Sequence, residues 1–204
     1  MNTSLTSIDE AARLGKSELP LLEVIAQRRS PRRFLDIPIE PEKQRSMFEA
    51  ARCAPSSLNE QPWRFIVVTK DNASEYERLF STLTDRNKVW ASEAPVLVVS
   101  VAKLFVDRNG KPNRFALHDV SGAMANLTMQ AVSLGLQVHQ MGGFDAVRLR
   151  TLYQIPDGFE PVTVSAIGYA DEFNLLTRER TRNELATFVF QGQWGTPAFE
   201  QKTE

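Results

Sequence analysis

Regular spacing of hydrophobic residues predicts alternating helices and strands over most of the chain. Intervals of three and four residues predict an amphipathic helix, capped by Asn72, through Tyr76, Leu79, Phe80 and Leu83. Runs rich in apolar and β-branched residues predict strands at residues 64–69, 95–101 and 161–169. A short strand is also predicted at residues 136–140. Further helices are predicted near 20–28, at 41–54 and after Asp145.

The most apolar helix is predicted between residues 117 and 134. Its core positions recur at intervals of three and four residues: Leu117, Val120, Met124, Leu127, Ala131 and Leu134. Gly135 is expected to end this helix, and Gly122 within it indicates a close helix contact. The opposite face is also rich in Ala, Met and Val, so we expect burial on most sides. In a chain of this size, such a helix indicates a core shared with a second subunit, and we predict a homodimer.

The length of 204 residues suits one domain with a sizeable core and is short for two. We therefore assign residues 20–204 to a single domain. Ser7 and Glu10 form a capping box that predicts a short peripheral helix through Leu14, within an N-terminal segment of residues 1–19. Near the other end, Leu185 to Phe190 and Trp194 are apolar enough to need cover.

Composition argues against several classes of partner. The 24 Lys and Arg nearly cancel the 25 Asp and Glu, so no global field attracts nucleic acid or an acidic membrane. No stretch resembles a signal peptide or approaches the ~18 apolar residues of a membrane span, and we expect a cytoplasmic protein. The single cysteine, Cys53, allows no disulfide framework and is interpreted as a packing residue. The two histidines, His118 and His139, lack acidic companions at metal spacing, so we predict no metal site.

A polar loop between two prolines, residues 54–63, is the first candidate for chemistry. The prolines restrict its backbone, and its hydroxyls and carboxamides can both donate and accept hydrogen bonds. Such groups suit a flat heterocycle with a mixed donor and acceptor edge, of which a flavin is one. The alternative is an ordinary connection between a helix and a strand.

A basic cluster is the second candidate, with four arginines within six residues, at 28, 29, 32 and 33. Pro31 stiffens the segment, and paired guanidinium groups bind phosphate oxygens in a bidentate way. The alternative is a solvated helix end that interacts with the helix dipole. A second patch near the C-terminus contains Arg178, Arg180 and Arg182.

Read together, Arg-Arg-Ser-x-Arg at 28–32 and Ala-Pro-Ser-Ser-x-Asn-x-Gln-Pro-Trp at 54–63 resemble the FMN-dependent nitroreductase family. The resemblance covers nearly the whole chain after Leu21. It implies an α+β, nitroreductase-like FMN-binding fold, with a central mixed sheet flanked by helices. It also implies an intertwined homodimer in which the C-terminal tail crosses to the partner.

The resemblance assigns cofactor-binding roles to three groups of residues. The first group comprises Arg28, Arg29, Ser30, Arg32, Arg180 and Arg182. In it, the arginines at 28, 32, 180 and 182 would bind the phosphate and Ser30 would help at the ribityl-phosphate end. Arg28 or Arg29 would also place positive charge near N1 and O2 of the ring. The second would line the ring, from the other subunit, and comprises Pro55, Ser56, Ser57 and Asn59. The third would lie at the reactive edge, with a backbone N–H on flavin N5, and comprises Met141, Gly142 and Gly143.

Asn87 and His118 each leave an interpretation open, and Gly142 departs from the family pattern. Asn87 falls where relatives offer a side chain to the pyrimidine edge, and the alternative is an asparagine in a turn. Relatives often carry Glu-Gly where this chain has Gly142-Gly143, which keeps the N–H but removes an acidic side chain. His118 is interpreted as structural, with a role in gating the pocket as the alternative.

The implied activity is reduction of nitroaromatic, quinone or similar acceptors by a ping-pong cycle. NADPH or NADH would give hydride to flavin N5, so no catalytic side chain is predicted. Related flavin chemistry (dehalogenation, enone reduction or flavin breakdown) is one alternative, and non-catalytic FMN storage is another. Residues 103–115 contain the turn signal Asp107-Arg108-Asn109-Gly110 and are interpreted as a surface loop, or as cover for the substrate side.

Overall fold

A computed structural model describes residues 19–170 and 181–199. The chain forms two compact units, one of residues Gln27–Thr177 and one that combines Met1–Ala26 with Arg178–Glu204. The predicted helix at 7–14 and the candidate Arg180 lie outside the described residues. A short helix, α1, spans Glu23–Gln27, and its last residue is the first residue of the larger unit.

The larger unit contains one four-stranded sheet. Its strands are β1 (Trp63–Thr69), β2 (Val96–Lys103), β3 (Gln137–Met141) and β4 (Phe159–Gly168), in the order β1-β2-β4-β3. All four predicted strands are confirmed within two residues at their ends. The predicted mixed sheet was wrong for the described strands, because each of the three neighbouring pairs runs antiparallel.

Helices cover both faces of this sheet. They are α2 (Pro41–Arg52), α3 (Ala73–Phe80), α4 (Asp85–Ala91), α5 (Ala116–Ser133) and α6 (Ala146–Leu152). Alternate residues of β2 enter different cores, with Val98 on the α2 and α5 side and Val99 on the side of α3, α4 and α6. Burial on both faces explains why the strand sequences show continuous apolar runs.

Helix α5 ends as the sequence predicts. Gly135 has φ +80°, and its N–H donates to the Val132 carbonyl at 3.0 Å while Leu136 N–H donates to the Ala131 carbonyl at 2.9 Å. These two bonds form a Schellman motif, whose left-handed residue favours glycine. In the described part of the chain, no helix is both long and apolar enough to span a bilayer.

Burial of α5 differs from the prediction on one face. Val120, Met124 and Leu127 pack in the core as expected, but Leu117 is 47% exposed. Ser121 and Ala125 are also exposed on that face, and a Cβ at Gly122 would meet no described atom within 4 Å. In the single chain α5 therefore packs through one stripe only. The burial on its other side and the close contact at Gly122, which were expected together with a second subunit, stay predictions.

The smaller unit carries apolar residues at its surface. A 3-10 turn spans Leu185–Thr187, and Phe190 pairs with Pro197 in an isolated bridge. The rings of Phe190 and Trp194 lie 5.0 Å apart, yet Trp194 is 88% exposed. The C-terminal segment therefore leaves large apolar side chains without cover in the single chain.

A polar contact joins the start of α2 to the end of β4. The Tyr169 hydroxyl donates to Glu40 Oε2 at 2.6 Å and accepts from Lys43 Nζ at 2.5 Å. Lys43 also pairs with Glu40 at 3.1 Å. The bond from Tyr169 is the main cause that lowers the pKa of Glu40 from 4.5 to about 2, helped by a backbone N–H and Lys43.

We expect Tyr169→Phe to raise the pKa of Glu40 toward 4.5, as measured by NMR titration of its side-chain carboxyl. A lowered folded-state pKa contributes stability above pH 4.5 that is lost as the pH falls toward 2. The unfolding free energy of the variant should therefore depend less on pH in this window. Tyr153→Phe removes a different tyrosine hydroxyl, one that donates to the Glu75 backbone carbonyl, and should leave the pKa of Glu40 unchanged. A Glu40 pKa near 4.5 in the unmutated protein would contradict the assignment.

Candidate functional site

The basic cluster is held by side chains of β3. Gln137 Oε1 accepts from the Arg29 backbone N–H at 2.8 Å, and His139 Nδ1 lies 2.7 Å from the Pro31 carbonyl oxygen. Because a carbonyl oxygen can only accept, His139 Nδ1 carries the hydrogen. Residues 137 and 139 alternate along a strand and so project to one side of it. The backbone of the arginine segment is therefore fixed to this strand at two points.

Further contacts stiffen the same segment. The His139 ring stacks on Trp90 with centroids 4.3 Å apart, and Pro31 is buried. Phe34 N–H donates to Glu93 Oε2 at 3.2 Å, which fixes the segment beyond the arginines. A guanidinium group on a backbone held in this way can bind an anion with little loss of conformational freedom.

The arginine side chains lie at or near the surface. Arg28 and Arg29 are half-buried, whereas Ser30 and Arg32 are exposed. Arg28 Nη1 donates to Ser30 Oγ at 3.3 Å, and Arg29 Nη1 donates to the Arg28 carbonyl at 3.3 Å. Hydrogen bonds thus link Arg28 to Arg29 and Ser30, and Arg32 follows two residues later with an exposed side chain. The donors of these residues suit a phosphate dianion.

The glycine turn follows directly after β3. The Gly143 carbonyl accepts from Asn87 Nδ2 at 2.9 Å, from Thr84 N–H at 3.1 Å and from the Thr84 hydroxyl at 3.2 Å. A Cβ at Gly143 would lie 2.7 Å from Asn87 Nδ2 and 2.8 Å from Thr84 Oγ1. Only glycine therefore fits at 143 without moving these donors.

The outer side of the same turn is open. A Cβ at Gly142 would meet no described atom within 4 Å, and the residue is exposed. Across the described ranges, neither the Gly142 nor the Gly143 N–H donates to a protein acceptor. Met141, the last residue of β3, is buried below the turn. Two N–H groups beside an open surface suit the edge of a flat acceptor such as a flavin ring.

Asn87 lies in a helix, α4, which the sequence analysis did not predict. Its carboxamide nitrogen is engaged by the Gly143 carbonyl, so it supports the turn from behind. The alternative interpretation, an asparagine in a turn, was wrong because Asn87 lies within a helix. The Asn87 contact was not apparent from the sequence, because it joins residues that lie 56 positions apart.

The polar loop has an unusual backbone. Leu58, Asn59 and Gln61 have φ values of 55°, 56° and 47°, which place three non-glycine residues in the left-handed region. Each such residue costs about 1–3 kcal/mol and persists only where the surroundings enforce it. The loop is therefore held in a conformation that it would not adopt by preference.

Hydrogen bonds from outside the loop enforce this conformation. Ser57 N–H donates to Asp119 Oδ2 at 3.0 Å, and Glu60 Oε2 accepts from the Asp107 N–H at 3.0 Å. Within the loop, Gln61 N–H donates to Ser56 Oγ at 3.0 Å. Ser56 thus closes the loop, and its hydroxyl hydrogen remains available to donate.

The loop presents polar groups at its surface. Pro55 and Asn59 are exposed, and Ser57 is half-buried. No bond within 19–170 or 181–199 engages the Ser57 hydroxyl or the Asn59 carboxamide. These groups can therefore meet a ligand with a mixed donor and acceptor edge, as the sequence predicted for such a loop.

Asp119 was not singled out from the sequence. It lies on the apolar stripe of α5, three residues after Ala116 and four before Ala123, both of which are buried. An acidic residue on a buried helical face is a signal for a specific polar partner, and that signal was available. His118 beside it is exposed, and its Nδ1 contacts Asp119 Oδ1 at 3.0 Å.

Residues 103–115 include the predicted surface loop. Val106 N–H donates to the Lys111 carbonyl at 2.9 Å, and Gly110 has φ +65° at the predicted turn. Phe105 and Phe115 are each more than two-fifths exposed. This surface loop touches the polar loop through the bond from Asp107 to Glu60.

The two halves of the candidate site lie at opposite edges of the sheet. The polar loop leads into β1, and the glycine turn leaves β3. Antiparallel pairing places the start of β1 and the end of β3 at the same end of the sheet. Three strand spacings separate these edges by roughly 14 Å. Among the described residues, no hydrogen bond joins the loop to the glycine turn or to the arginines.

Other predicted residues give a mixed outcome. Cys53 is exposed at the end of α2, so its assignment to packing was wrong for the single chain.

Arg182, in the smaller unit, donates from Nη1 to the Thr181 carbonyl at 3.0 Å. In the parts of the chain that are described, no group of three His, Cys, Asp or Glu side chains could hold a metal ion.

Comparisons with known proteins identify the family to which this sequence is similar. The profile of the Nitroreductase family matches residues 25–169. An uncharacterized 15.4 kDa protein of Mycolicibacterium smegmatis is 33% identical over 148 residues, which cover 66% of this chain and 99% of the relative. A Methanothermobacter thermautotrophicus protein, provisionally named NADH dehydrogenase/NAD(P)H nitroreductase, is 32% identical over 160 residues, covering 76% of this chain and 80% of the relative.

A solved structure shares the fold over most of the chain. It is a crystal structure of an oxidoreductase containing FMN, with 32% sequence identity and a TM-score of 0.82. The superposition covers 89% of this chain and 96% of that one. A nitroreductase family protein of Clostridium difficile, at 24% identity and a TM-score of 0.71, shares the fold as well.

The two glycines of the turn should tolerate alanine differently. Gly143→Ala would displace Asn87 or Thr84 and weaken the bonds to the Gly143 carbonyl. We expect a loss of about 1–3 kcal/mol in the unfolding free energy, measured by urea denaturation. Gly142→Ala, where a Cβ enters open space, is the matched control and should change it by less than about 0.5 kcal/mol. Equal losses for both variants would contradict the packing described at Gly143.

Proposed function

The chain belongs to the nitroreductase family, and from this premise we propose that it is an FMN-dependent oxidoreductase. It would take electrons from NADPH or NADH and reduce small acceptors such as nitroaromatic compounds or quinones. One observation carries the proposal: strand β3 holds the arginine segment along its length and ends in the open glycine turn. The relative that contains FMN and the relative provisionally named NAD(P)H nitroreductase support the same reading.

The residues present fit FMN. The phosphate would be bound by the donors of Arg28, Arg32 and Ser30. Arg28 or Arg29 would place positive charge near the N1 and O2 edge of the ring. The N–H groups of Gly142 and Gly143 would point to the N5 edge, where no side chain obstructs the approach.

FMN, when bound, supplies hydride transfer through N5, and the chain supplies position and charge. The Thr84 and Asn87 donors fix the Gly143 carbonyl, so the peptide plane between Gly143 and Phe144, directly after the two proposed N–H groups, is held in one orientation. The arginines neutralise the phosphate and orient the ring end of the cofactor. Hydride transfer by the cofactor would therefore require no catalytic acid or base from the chain.

We further propose that the complete site forms in a homodimer. The polar loop lies at the edge of the sheet opposite to the glycine turn, so one chain presents two half-sites. Exposed residues of α5, including Leu117 and Ala125, offer a face that a second copy can cover. Pro55, Ser56, Ser57 and Asn59 of one subunit would then line the flavin held by the other. The exposed Phe188 and Trp194 suit a C-terminal tail that crosses to the partner.

The purified protein should show a flavin absorption band that bleaches anaerobically with NADPH or NADH, because both donors can reduce a flavin that is open at N5. Assays with nitroaromatic, halogenated and enone acceptors would then distinguish reduction of nitro groups from the related reactions. A band that persists with both donors would favour FMN storage. Absence of a band after added FMN would overturn the proposal.

Arg28→Ala should weaken FMN binding by about 1.5–3 kcal/mol, or roughly 10- to 150-fold in Kd. The expected loss is that of a charge-assisted hydrogen bond to phosphate, measured by quenching of flavin fluorescence. Arg78→Ala removes a guanidinium that pairs with Glu75 at 3.2 Å on α3, and serves as the control. If the Arg28 variant and the control bound FMN with equal affinity, the assignment of Arg28 to the phosphate site would be wrong.

Ala125→Glu should convert the dimer to a monomer, as measured by light scattering coupled to size-exclusion chromatography. The substitution would bury an unpaired carboxylate at the proposed subunit contact. Ala73→Glu, at an exposed position in the first turn of α3, adds the same charge elsewhere and should remain dimeric. A monomeric unmutated protein would refute the dimer, and a dimeric Ala125→Glu variant would exclude this face as the contact.

A further inference from the structure

Asp119 is a buried carboxylate whose position needs an explanation. Its side chain is 3% exposed in the first turn of α5. Oδ2 accepts from the Ser57 N–H at 3.0 Å, and Oδ1 lies 3.0 Å from His118 Nδ1. Among the described residues, no Lys or Arg lies within ion-pair distance of it. Burial of a carboxylate is unfavourable unless specific partners compensate, so these two contacts account for its presence.

The contact with Ser57 occurs where the polar loop changes direction. Ser57 directly precedes Leu58 and Asn59, which both have left-handed backbone conformations. A left-handed pair can relax to an extended conformation unless its neighbours are fixed. Asp119 fixes the residue on the N-terminal side of the pair, and the bond from Gln61 N–H to Ser56 closes the other side.

We propose that Asp119 is a positioning residue for the flavin. It holds the Ser57 backbone so that the Ser57 hydroxyl and the Asn59 carboxamide face the ring, while the carboxylate itself does not touch the cofactor. This inference rests on the proposed function. Because α5 also carries the exposed face of Leu117 and Ala125, the same helix would connect subunit assembly to the shape of the ring site.

Hydrogen exchange of the cofactor-free protein tests the positioning step without any activity. We expect Asp119→Ala to increase amide exchange at least tenfold in a peptide covering residues 55–62, because the Ser57 N–H loses its acceptor. Asp119→Asn keeps an acceptor oxygen of the same shape, so its exchange should be intermediate, and it guards against misfolding of the alanine variant. Asn72→Ala, which removes a side-chain acceptor of a backbone N–H at the start of α3, is the matched control.

The loaded protein provides the second readout. Asp119→Ala should weaken FMN binding about tenfold and change the visible circular dichroism of the flavin, with partial recovery in Asp119→Asn. Exchange that is unchanged in the loop, or that rises equally across residues 19–170, would overturn the positioning role. Failure of the unmutated protein to bind FMN would instead overturn the proposed function, and the exchange experiment distinguishes the two results.

Discussion

The hydrogen bonds that β3 makes through its side chains are the constraint on which the candidate site depends. Gln137 and His139 bind the backbone of the arginine segment, and the strand then ends at Met141 beside the glycine turn. A strand rises about 3.3 Å per residue and bends little, so the spacing between these two features is fixed. The candidate phosphate-binding arginines and the N–H groups of the two glycines are thereby placed at a set distance along one edge.

The second constraint is that one chain holds the polar loop and the glycine turn apart. The polar loop belongs to the β1 edge and the glycine turn to the β3 edge, and the strand order β1-β2-β4-β3 keeps two strands between them. At the same time α5 leaves Leu117, Ser121 and Ala125 at the surface. Both observations are explained if a second copy covers α5 and brings its own loop to the glycine turn.

Local features of the fold were predictable from the sequence because they depend on near neighbours. Strands β1, β2 and β4 follow from runs rich in apolar and β-branched residues, and the cap at Asn72 and the stop at Gly135 follow from side-chain and backbone chemistry within one turn. Features that depend on distant partners were not predictable. The bond from Ser57 to Asp119 joins residues 62 positions apart, and strand direction depends on the whole sheet. The exposure of Cys53 and Leu117 likewise depends on which faces the rest of the chain covers.

The difference between the two glycines bears on the chemistry of the proposed site. Glycine at 143 is required by packing, since a Cβ there would collide with Asn87 and Thr84. Neither packing nor a positive φ requires glycine at 142, where a side chain would enter open space. In the proposed site, Gly142 therefore leaves the two N–H groups open to a ligand, while the Gly143 carbonyl is held from behind by Asn87 and Thr84.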